Sequence, residues 1–581
     1  MSDNMLTLLT FLFFTGAVAF FTWLVTRKDK TNTSDGFFLA GRSLTYPVIA
    51  ASLLLTNLST EQMVGLNGEA FSFGLNVMAW EVIAVFALAA MALFFLPRFL
   101  KSGITTVPEY LEKRFDQSTA TITNVIFMLA YLLILIPIIL YTGAKGFISI
   151  LDLGTMTGIQ SEMRLLYLIC IIIGLVGTVY ALFGGLKSVA VSDLFNGIGL
   201  LVGGLMIVYF ALAYIGGGEG MMAGLAKLRE LPPDKFNSIG TEGKGVEFIS
   251  LFTGVLFINL FYWCTNQQII QRTLGAKNLA EGQKGVCLTA FLKLIGPLYL
   301  VLPGMAAYYL YKNGNPEIVR IIGGSNSIAD SSAAYGALVR TVMPKVLTGF
   351  FAGVLGGAIL SSFNSALNST CTLFSLGFYK HFIRPGISDE DVVKVSRKFG
   401  FVVAILAVAF APMLNAVPSI FGYLQKMNGL YFIPLFAVIS AGMLNRRIPA
   451  KAARFALIAG PLGIAIFYFV PGFSTIVDYV GTNNFLGLAF MYLFILMLVW
   501  AEVAPRKTEF VQADAKILDL TPWKHVTAAC IALIVLVVGI YAAFADFSGL
   551  HERIRTRQTT TATASENKST EADPSAFNTA R

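Results

Sequence analysis

Charge is what this sequence has least of. Only 13% of its 581 residues are Asp, Glu, Lys or Arg, against 56% hydrophobic, and the mean hydropathy is +0.71. A soluble globular chain carries about 25% charged residues, and a water-facing surface of this size cannot be built from half that share. A large soluble enzyme is excluded, and for most of the chain so is intrinsic disorder. Histidine is scarce: His381, His525 and His551 are the full set, each beside a basic residue or in a polar tail. The five cysteines, Cys170, Cys264, Cys287, Cys371 and Cys530, lie singly in apolar runs. That excludes a disulfide scaffold and reads as small packing residues. Neither residue type offers ligands at the spacing of a zinc, haem or iron–sulfur centre. There is no Walker loop and no nucleophile–base pair, so the chain reads as something other than an enzyme.

What is present is a succession of apolar runs of membrane-spanning length. A bilayer core about 30 Å thick needs roughly 20 apolar residues as helix. About fourteen runs qualify, at 5–26, 44–70, 75–97, 120–146, 164–183, 190–216, 247–270, 285–311, 335–378, 394–415, 420–443, 450–471, 484–503 and 524–546. The ninth is long enough to include a short external helix. The runs are continuous rather than alternating, which argues against a β-barrel. The first is too long for a cleaved signal peptide, and its charges Arg27, Lys28 and Lys30 follow it instead of preceding it.

Placing the N-terminus outside puts most of the Lys and Arg in cytoplasmic loops, among them Arg42, Arg98, Lys101, Lys113, Arg114, Arg272, Lys277, Lys380, Arg384, Arg446, Arg447 and Arg506. The short loops around 410–419 and 472–483 have none. The expectation is a multi-pass protein of the cell's inner (plasma) membrane with both termini outside. Its net charge of +9 is then a topology signal, with no nucleic-acid partner implied. Residues 547–581 read as a disordered external tail.

Polar residues inside a bilayer are costly, so their positions are informative. Thr56, Asn57, Ser59, Thr60, Glu61 and Gln62 interrupt the second span, and Asn259, Tyr262, Trp263, Thr265, Asn266, Gln267 and Gln268 crowd the seventh. Five spans apart, these two helices cross in opposite senses. Interrupted helices at matching places of opposed five-helix halves point to an inverted-repeat transporter. Polar glue between helices, worth about 0.6 kcal/mol per contact, explains one or two such residues and explains two dense clusters poorly. Glu81 in the third span and Lys293 in the eighth are single intramembrane charges, each costing about 3 kcal/mol unless paired or facing a wet cavity. They are expected to compensate each other, with snorkelling the competing reading for Lys293 and the favoured one for Lys426. In GGAILSSFNSALNST at 356–370, Ser361 and Ser362 offer neutral oxygens suited to a monovalent hard cation. Spacing alone leaves small-residue packing equally open there.

At these motifs the chain resembles the sodium/solute symporter family, in its sodium–sugar cotransporter branch of the bacterial sodium–galactose type. The similarity covers nearly all of the first 550 residues and is carried by AGRSL at 40–44, ASLLLTNLSTEQMVGL at 51–66, YALFGGLKSVAVSD at 180–193, NLFYWCTNQQIIQRTLGAK at 259–277 and ALNST at 366–370. The family's Thr-Asp followed by Gln stands here as Ser192-Asp193 followed by Asn196. The resemblance implies an all-α polytopic membrane protein of LeuT type, with an inverted five-plus-five helix repeat and about 14 transmembrane helices. The divisions expected are 1–43 as a leading helix and loop, 44–216 and 247–443 as the two repeats, 217–246 as an external loop, and 444–546 as three peripheral helices.

It also implies residue roles: Gln62, Glu81, Asn259, Lys293 and Gln425 as sugar ligands, Tyr262 with its partner Asn57 as inner gate, and Leu66, Trp80 and Phe421 as outer lid. Sodium, the implied coupling ion, would be held by backbone carbonyls of Leu55 and Leu58 and by Ala358, Ser361 and Ser362. A family serine that touches sugar falls on Ala84. The expected function is inward symport of sodium with a hexose such as galactose or glucose. The alternatives are another organic solute (inositol, sialic acid or an amino acid) and a sugar-gated sensor or channel.

Overall fold

Apolar runs with few internal turn residues can satisfy their backbone in lipid only as helix, and helix is what forms. The computed structural model describes residues 3–28, 33–151, 153–159, 161–241, 245–323, 331–417 and 420–548. The tail from 549, with His551, lies outside the described residues. The model is 83% helix with no strand among the described residues.

Among the described residues, eleven helices are long and apolar enough to cross a membrane: Met5–Thr26, Leu75–Ser102, Gln117–Leu151, Glu162–Leu182, Gly184–Glu219, Lys345–Ile383, Asp389–Asn415, Ile420–Leu444, Ala450–Phe469, Thr482–Val503 and Val526–Ala543. Two bent pairs raise the number to 13: Phe248–Cys264 with Gln267–Leu274, bent by 42°, and Leu279–Leu294 with Gly296–Lys312, bent by 49°. The second expected span appears as two shorter helices, Tyr46–Asn57 and Thr60–Phe73, which is why length alone does not count it. Every run expected from the sequence is therefore matched by helix. The long ninth region divides into Ala334–Val342 and the span beginning at Lys345.

Local chemistry sets the boundaries. Asp116, Ser161, Asn278 and Ser388 cap the fourth, fifth, eighth and tenth spans by accepting a hydrogen bond from a first-turn backbone N–H. The fifth and sixth spans run on as one helical stretch broken at Gly185, whose φ of +64° admits only glycine at low cost.

Burial separates core from periphery. In the most apolar stretch of each helix, 83% of the eleventh span and 72% of the third and ninth are buried inside the protein, against 11% of the first and 22% of the fourteenth. The outer helices present Phe13, Trp23, Ile531 and Val535 outward, as lipid contact requires.

Arg272 departs from the loop position expected of it. Arg272 is 1% exposed and lies inside the bundle. Its Nε donates to Ser52 Oγ at 3.0 Å, Nη1 to Gln268 O and Nη2 to Ser365 Oγ. Ser52 in turn donates to Asp193 Oδ2 at 2.6 Å. The seventh span thus continues to Leu274 because its guanidinium finds acceptors in the core. Between the sixth and seventh spans, Lys235 Nζ donates to the carbonyls of Phe71 and Ser72. It caps the second half of the second span, Thr60–Phe73, as a cation at a helix C-terminus should.

Candidate functional site

Both interrupted helices are broken where the sequence is polar. In the second span, Leu58 leaves helical geometry (φ −80°, ψ 63°) and Ser59 N donates to Asn57 O at 2.9 Å, freeing the Leu55 carbonyl. Gln62 N and Met63 N both turn to Ser59 O, which frees Leu58 O. In the seventh span, Thr265 N and Asn266 N share Phe261 O, and Asn266 starts the second half by accepting from Gln268 N at 3.2 Å.

That second break is fixed from outside. The Tyr131 hydroxyl donates to Asn266 Oδ1 and accepts from Gln268 N at 3.1 Å. Tyr131 stands at the head of a π-helical turn in the fourth span, Tyr131–Leu135, a bulge type that recurs at functional sites. Tyr131→Phe should lower stability by about 1 kcal/mol, since it removes one of the two hydrogen bonds made by each of Asn266 Oδ1 and Gln268 N, which keep each other. A thermal melt in detergent measures it.

Between the breaks lies a cavity of about 50 Å³ lined by Thr56, Asn57, Glu61, Gln62, Trp80, Asn259, Tyr262, Trp263, Asn266, Gln268, Lys293, Gln425, Asn428 and Tyr431, with apolar side chains including Ile139 and Leu424. An apolar cavity of about 150 Å³ accepts a benzene, so the site has room for a few waters and must widen to take a hexose.

Of the five expected sugar ligands, Gln62, Asn259, Lys293 and Gln425 line the cavity. Glu81 does not line it. It sits behind Lys293, each 1% exposed, and both its oxygens accept from Lys293 Nζ, at 2.8 and 2.7 Å. Gly296 makes room for it, because a Cβ there would come within 2.8 Å of Glu81 Oε2. The third ammonium proton goes to Asn57 Oδ1. Lys293 therefore pairs inside the core and does not snorkel. Lys426 points elsewhere, its Nζ 4.9 Å from the Tyr468 ring centre.

Tyr262 lines the cavity beside Asn57. Trp80 lines it too, and meets Phe421 edge to face at 5.9 Å. Leu66 and Phe421 are buried outside the lining.

The residues expected to hold sodium converge as well. Ser362 Oγ donates to Thr56 O at 3.3 Å, next to the freed carbonyls of Leu55 and Leu58. Ala358 and Ser361 are buried on the same helix. No cluster of three or more His, Cys, Asp or Glu able to hold a metal occurs among the described residues. Neutral oxygens of this kind fit a monovalent cation.

Sequence reasoning missed Tyr131, Asn428, Tyr431 and the Asp193–Ser52–Arg272–Ser365 network. Asn428 was detectable, three residues from Gln425 in the eleventh span. Tyr131 and Tyr431 were single tyrosines in apolar runs with nothing to mark them. Cys287 and Cys530, single in sequence, lie with sulfurs 3.9 Å apart.

Comparison with known proteins agrees with this geometry. The model of the sodium:solute symporter family matches residues 37–460. The uncharacterized symporter YidK of Escherichia coli is 42% identical over 551 residues, covering 95% of this chain and 93% of that protein. The sodium/glucose cotransporter of Vibrio parahaemolyticus is 34% identical over 443 residues, 74% of this chain and 79% of that one. A solved Na+-coupled sialic acid symporter in a substrate-bound, outward-open state superposes with a TM-score of 0.69 over 87% of this chain and 100% of its own, at 19% identity, which speaks for the fold alone. The fold is LeuT-type, and the family and neighbours are transporters rather than enzymes. The chain belongs to the sodium:solute symporter family: it is a multi-pass membrane protein that couples sodium to the movement of a small-molecule substrate.

Proposed function

We propose that this symporter couples inward sodium movement to uptake of a sugar, a hexose such as galactose or glucose, by alternating access. The observation that carries the reading is the convergence of uncharged donors and acceptors with ring faces: Gln62, Asn259, Gln425 and Asn428 around a space walled by Tyr262 and Trp80. Hydroxyls satisfy amides, and a flat apolar sugar face covers a ring. A site built for hydroxyls rejects analogues that lack them, since its own buried groups would stay unpaired. The Vibrio relative, a sodium/glucose cotransporter, supports the same class.

In this reading Gln62, Asn259, Lys293 and Gln425 bond the sugar and Glu81 holds Lys293 in place. Leu55, Leu58, Ala358, Ser361 and Ser362 seat the sodium, and its binding steadies the second span against the ninth. Trp80, Leu66 and Phe421 close above the sugar. Tyr262 then yields below it, and both solutes leave inward. Lys293 has spent all three protons, so it reaches a sugar hydroxyl by giving up Asn57, the neighbour of the Tyr262 gate. Sugar binding is thereby felt at the gate. A membrane potential contributes about 2.3 kcal/mol per charge per 100 mV, so one sodium per neutral sugar supports about fiftyfold accumulation at that potential.

The two repeats are assigned to 44–216 and 247–443, with 1–43, 217–246, 444–546 and the tail from 547 outside them. The chain is placed in the inner (plasma) membrane, both termini outside, on its Lys and Arg distribution.

A second reading has its own support. The human sodium/myo-inositol cotransporter 2 is 30% identical over 457 residues, 75% of this chain and 66% of that one, and inositol presents a similar ring of hydroxyls. Counterflow in proteoliposomes with labelled galactose, glucose, myo-inositol, sialic acid and an amino acid, with and without sodium, decides. Sodium-dependent exchange of a hexose is the expected result. Exchange confined to inositol or to a charged solute overturns the hexose reading.

A further inference from the structure

One face of the ninth span is polar, buried and unsatisfied. Both polar atoms of Asn364, both of Asn368 and Ser375 Oγ have no hydrogen-bond partner among the described residues, Ser361 heads the row beside the Asp193 carboxylate, and none of these residues is more than 2% exposed. Steps of three and four residues keep Ser361, Asn364 and Asn368 on one side of the helix, and Ser375 follows in the π-helical stretch Leu373–Ile383. The other hydroxyls of the same helix behave differently. Ser365 and Thr372 donate to the carbonyls of Ser361 and Asn368, and Ser369 donates to Gln271 Oε1 at 3.0 Å. Packing therefore satisfies one set and leaves the other open. An unmet polar group inside a protein costs about 1–3 kcal/mol, and in hydrocarbon no lipid atom can relieve it.

Both ends of the row have space. Ser361 and Asn364 line a cavity of about 120 Å³ with Tyr180, Ser192 and Asn196, enough for several waters. Near the other end, Asn124 of the fourth span donates to Leu373 O at 3.0 Å and keeps its own Oδ1 unpaired. Asn124 in turn lines a cavity of about 440 Å³ with Asp35, Glu112 and Asp389. From Ser361 to Ser375 the helix advances about 21 Å, from the middle of the span to its basic end at Lys380 and Arg384.

We propose that this face of the ninth span is the path by which the coupling sodium, with part of its hydration shell, leaves for the cytoplasm, separate from the solute's exit beneath Tyr262. The inference rests on the assignment of Leu55, Leu58, Ala358, Ser361 and Ser362 as the sodium seat. Amide and hydroxyl oxygens on one helix face replace lost waters one at a time without holding the ion. The ion is released into the cytoplasmic cavity, where Glu109, Glu112 and Asp389 face Lys113, His381 and Lys380.

The test uses Asn364→Leu and Asn368→Leu in proteoliposomes with labelled galactose, or myo-inositol if the panel selects it. Sodium-gradient-driven uptake requires sodium release in every cycle, whereas counterflow with equal, saturating sodium on both sides does not. The expected result is uptake slowed by about tenfold or more with counterflow within about twofold of wild type, and uptake recovered by Asn368→Ser. A parallel fall of uptake and counterflow, or no fall in either, overturns the path. Ser362→Ala run alongside examines the seat: if the sodium concentration for half-maximal counterflow does not move, the seat is wrong and the path falls with it.

Discussion

Lys293→Met should abolish sodium-driven uptake, lowering it by two orders of magnitude or more, about 2.7 kcal/mol or more in the transport barrier. Lys293 Nζ bonds both oxygens of Glu81 and the side-chain oxygen of Asn57, all within 8% of complete burial. Removing the ammonium leaves a carboxylate in the bundle core without its counter-charge, which costs about 3–5 kcal/mol. The same change frees Asn57 beside Tyr262, so the inner gate loses a support as well. Glu81→Gln with Lys293→Met restores charge balance. The double variant should therefore melt higher than Lys293→Met alone while remaining inactive in uptake. That split separates the structural role of the pair from the solute contact assigned to Lys293. A thermal melt and an uptake assay on the two variants check it. A double variant no more stable than the single one would mean that the two charges do not depend on each other.

Ser362→Ala should raise the sodium concentration for half-maximal uptake by about tenfold, about 1.4 kcal/mol, with normal expression. Ser362 Oγ approaches Thr56 O at 3.3 Å and, with Ser365 on the Thr56 hydroxyl, joins the ninth span to the break in the second. Its removal deletes one neutral ligand and keeps the packing volume nearly constant. The solute concentration for half-maximal uptake, measured at saturating sodium, should stay within about twofold of wild type, because mass action restores the occupied state. An unchanged sodium requirement would move the seat elsewhere in the bundle.

The sequence carried the helices and their breaks because bilayer physics writes both directly into residue type. Fourteen apolar runs can only be helix in lipid, and the polar clusters at 56–62 and 259–268 have no low-cost place except at a break. The pairing of Lys293 with Glu81 was legible for the same reason, as two charges that each need a partner. What was hidden depends on contacts distant in sequence. Arg272 looks like a loop residue until Ser52, Ser365 and the Gln268 carbonyl are placed around it. Tyr131 gains its role only from a π-helical turn that aims its hydroxyl at Asn266. Glu81 reads as a solute ligand, yet the bend of the eighth span at Gly296 tucks it behind Lys293. The unpaired face of Asn364 and Asn368 has the same origin, since small polar residues in a helix look alike whether or not a neighbour bonds them.

The most direct measurement is the affinity of the purified protein for labelled galactose without sodium and at saturating sodium. If the cation and the solute share the space between the two broken helices, each must strengthen the other's binding by the same factor. The expected result is affinity tighter by about tenfold or more in sodium, a coupling of about 1.4 kcal/mol, with the sodium concentration that brings about the tightening raised about tenfold in Ser362→Ala. Equal affinity with and without sodium in the wild-type protein would contradict a joint site at the helix breaks.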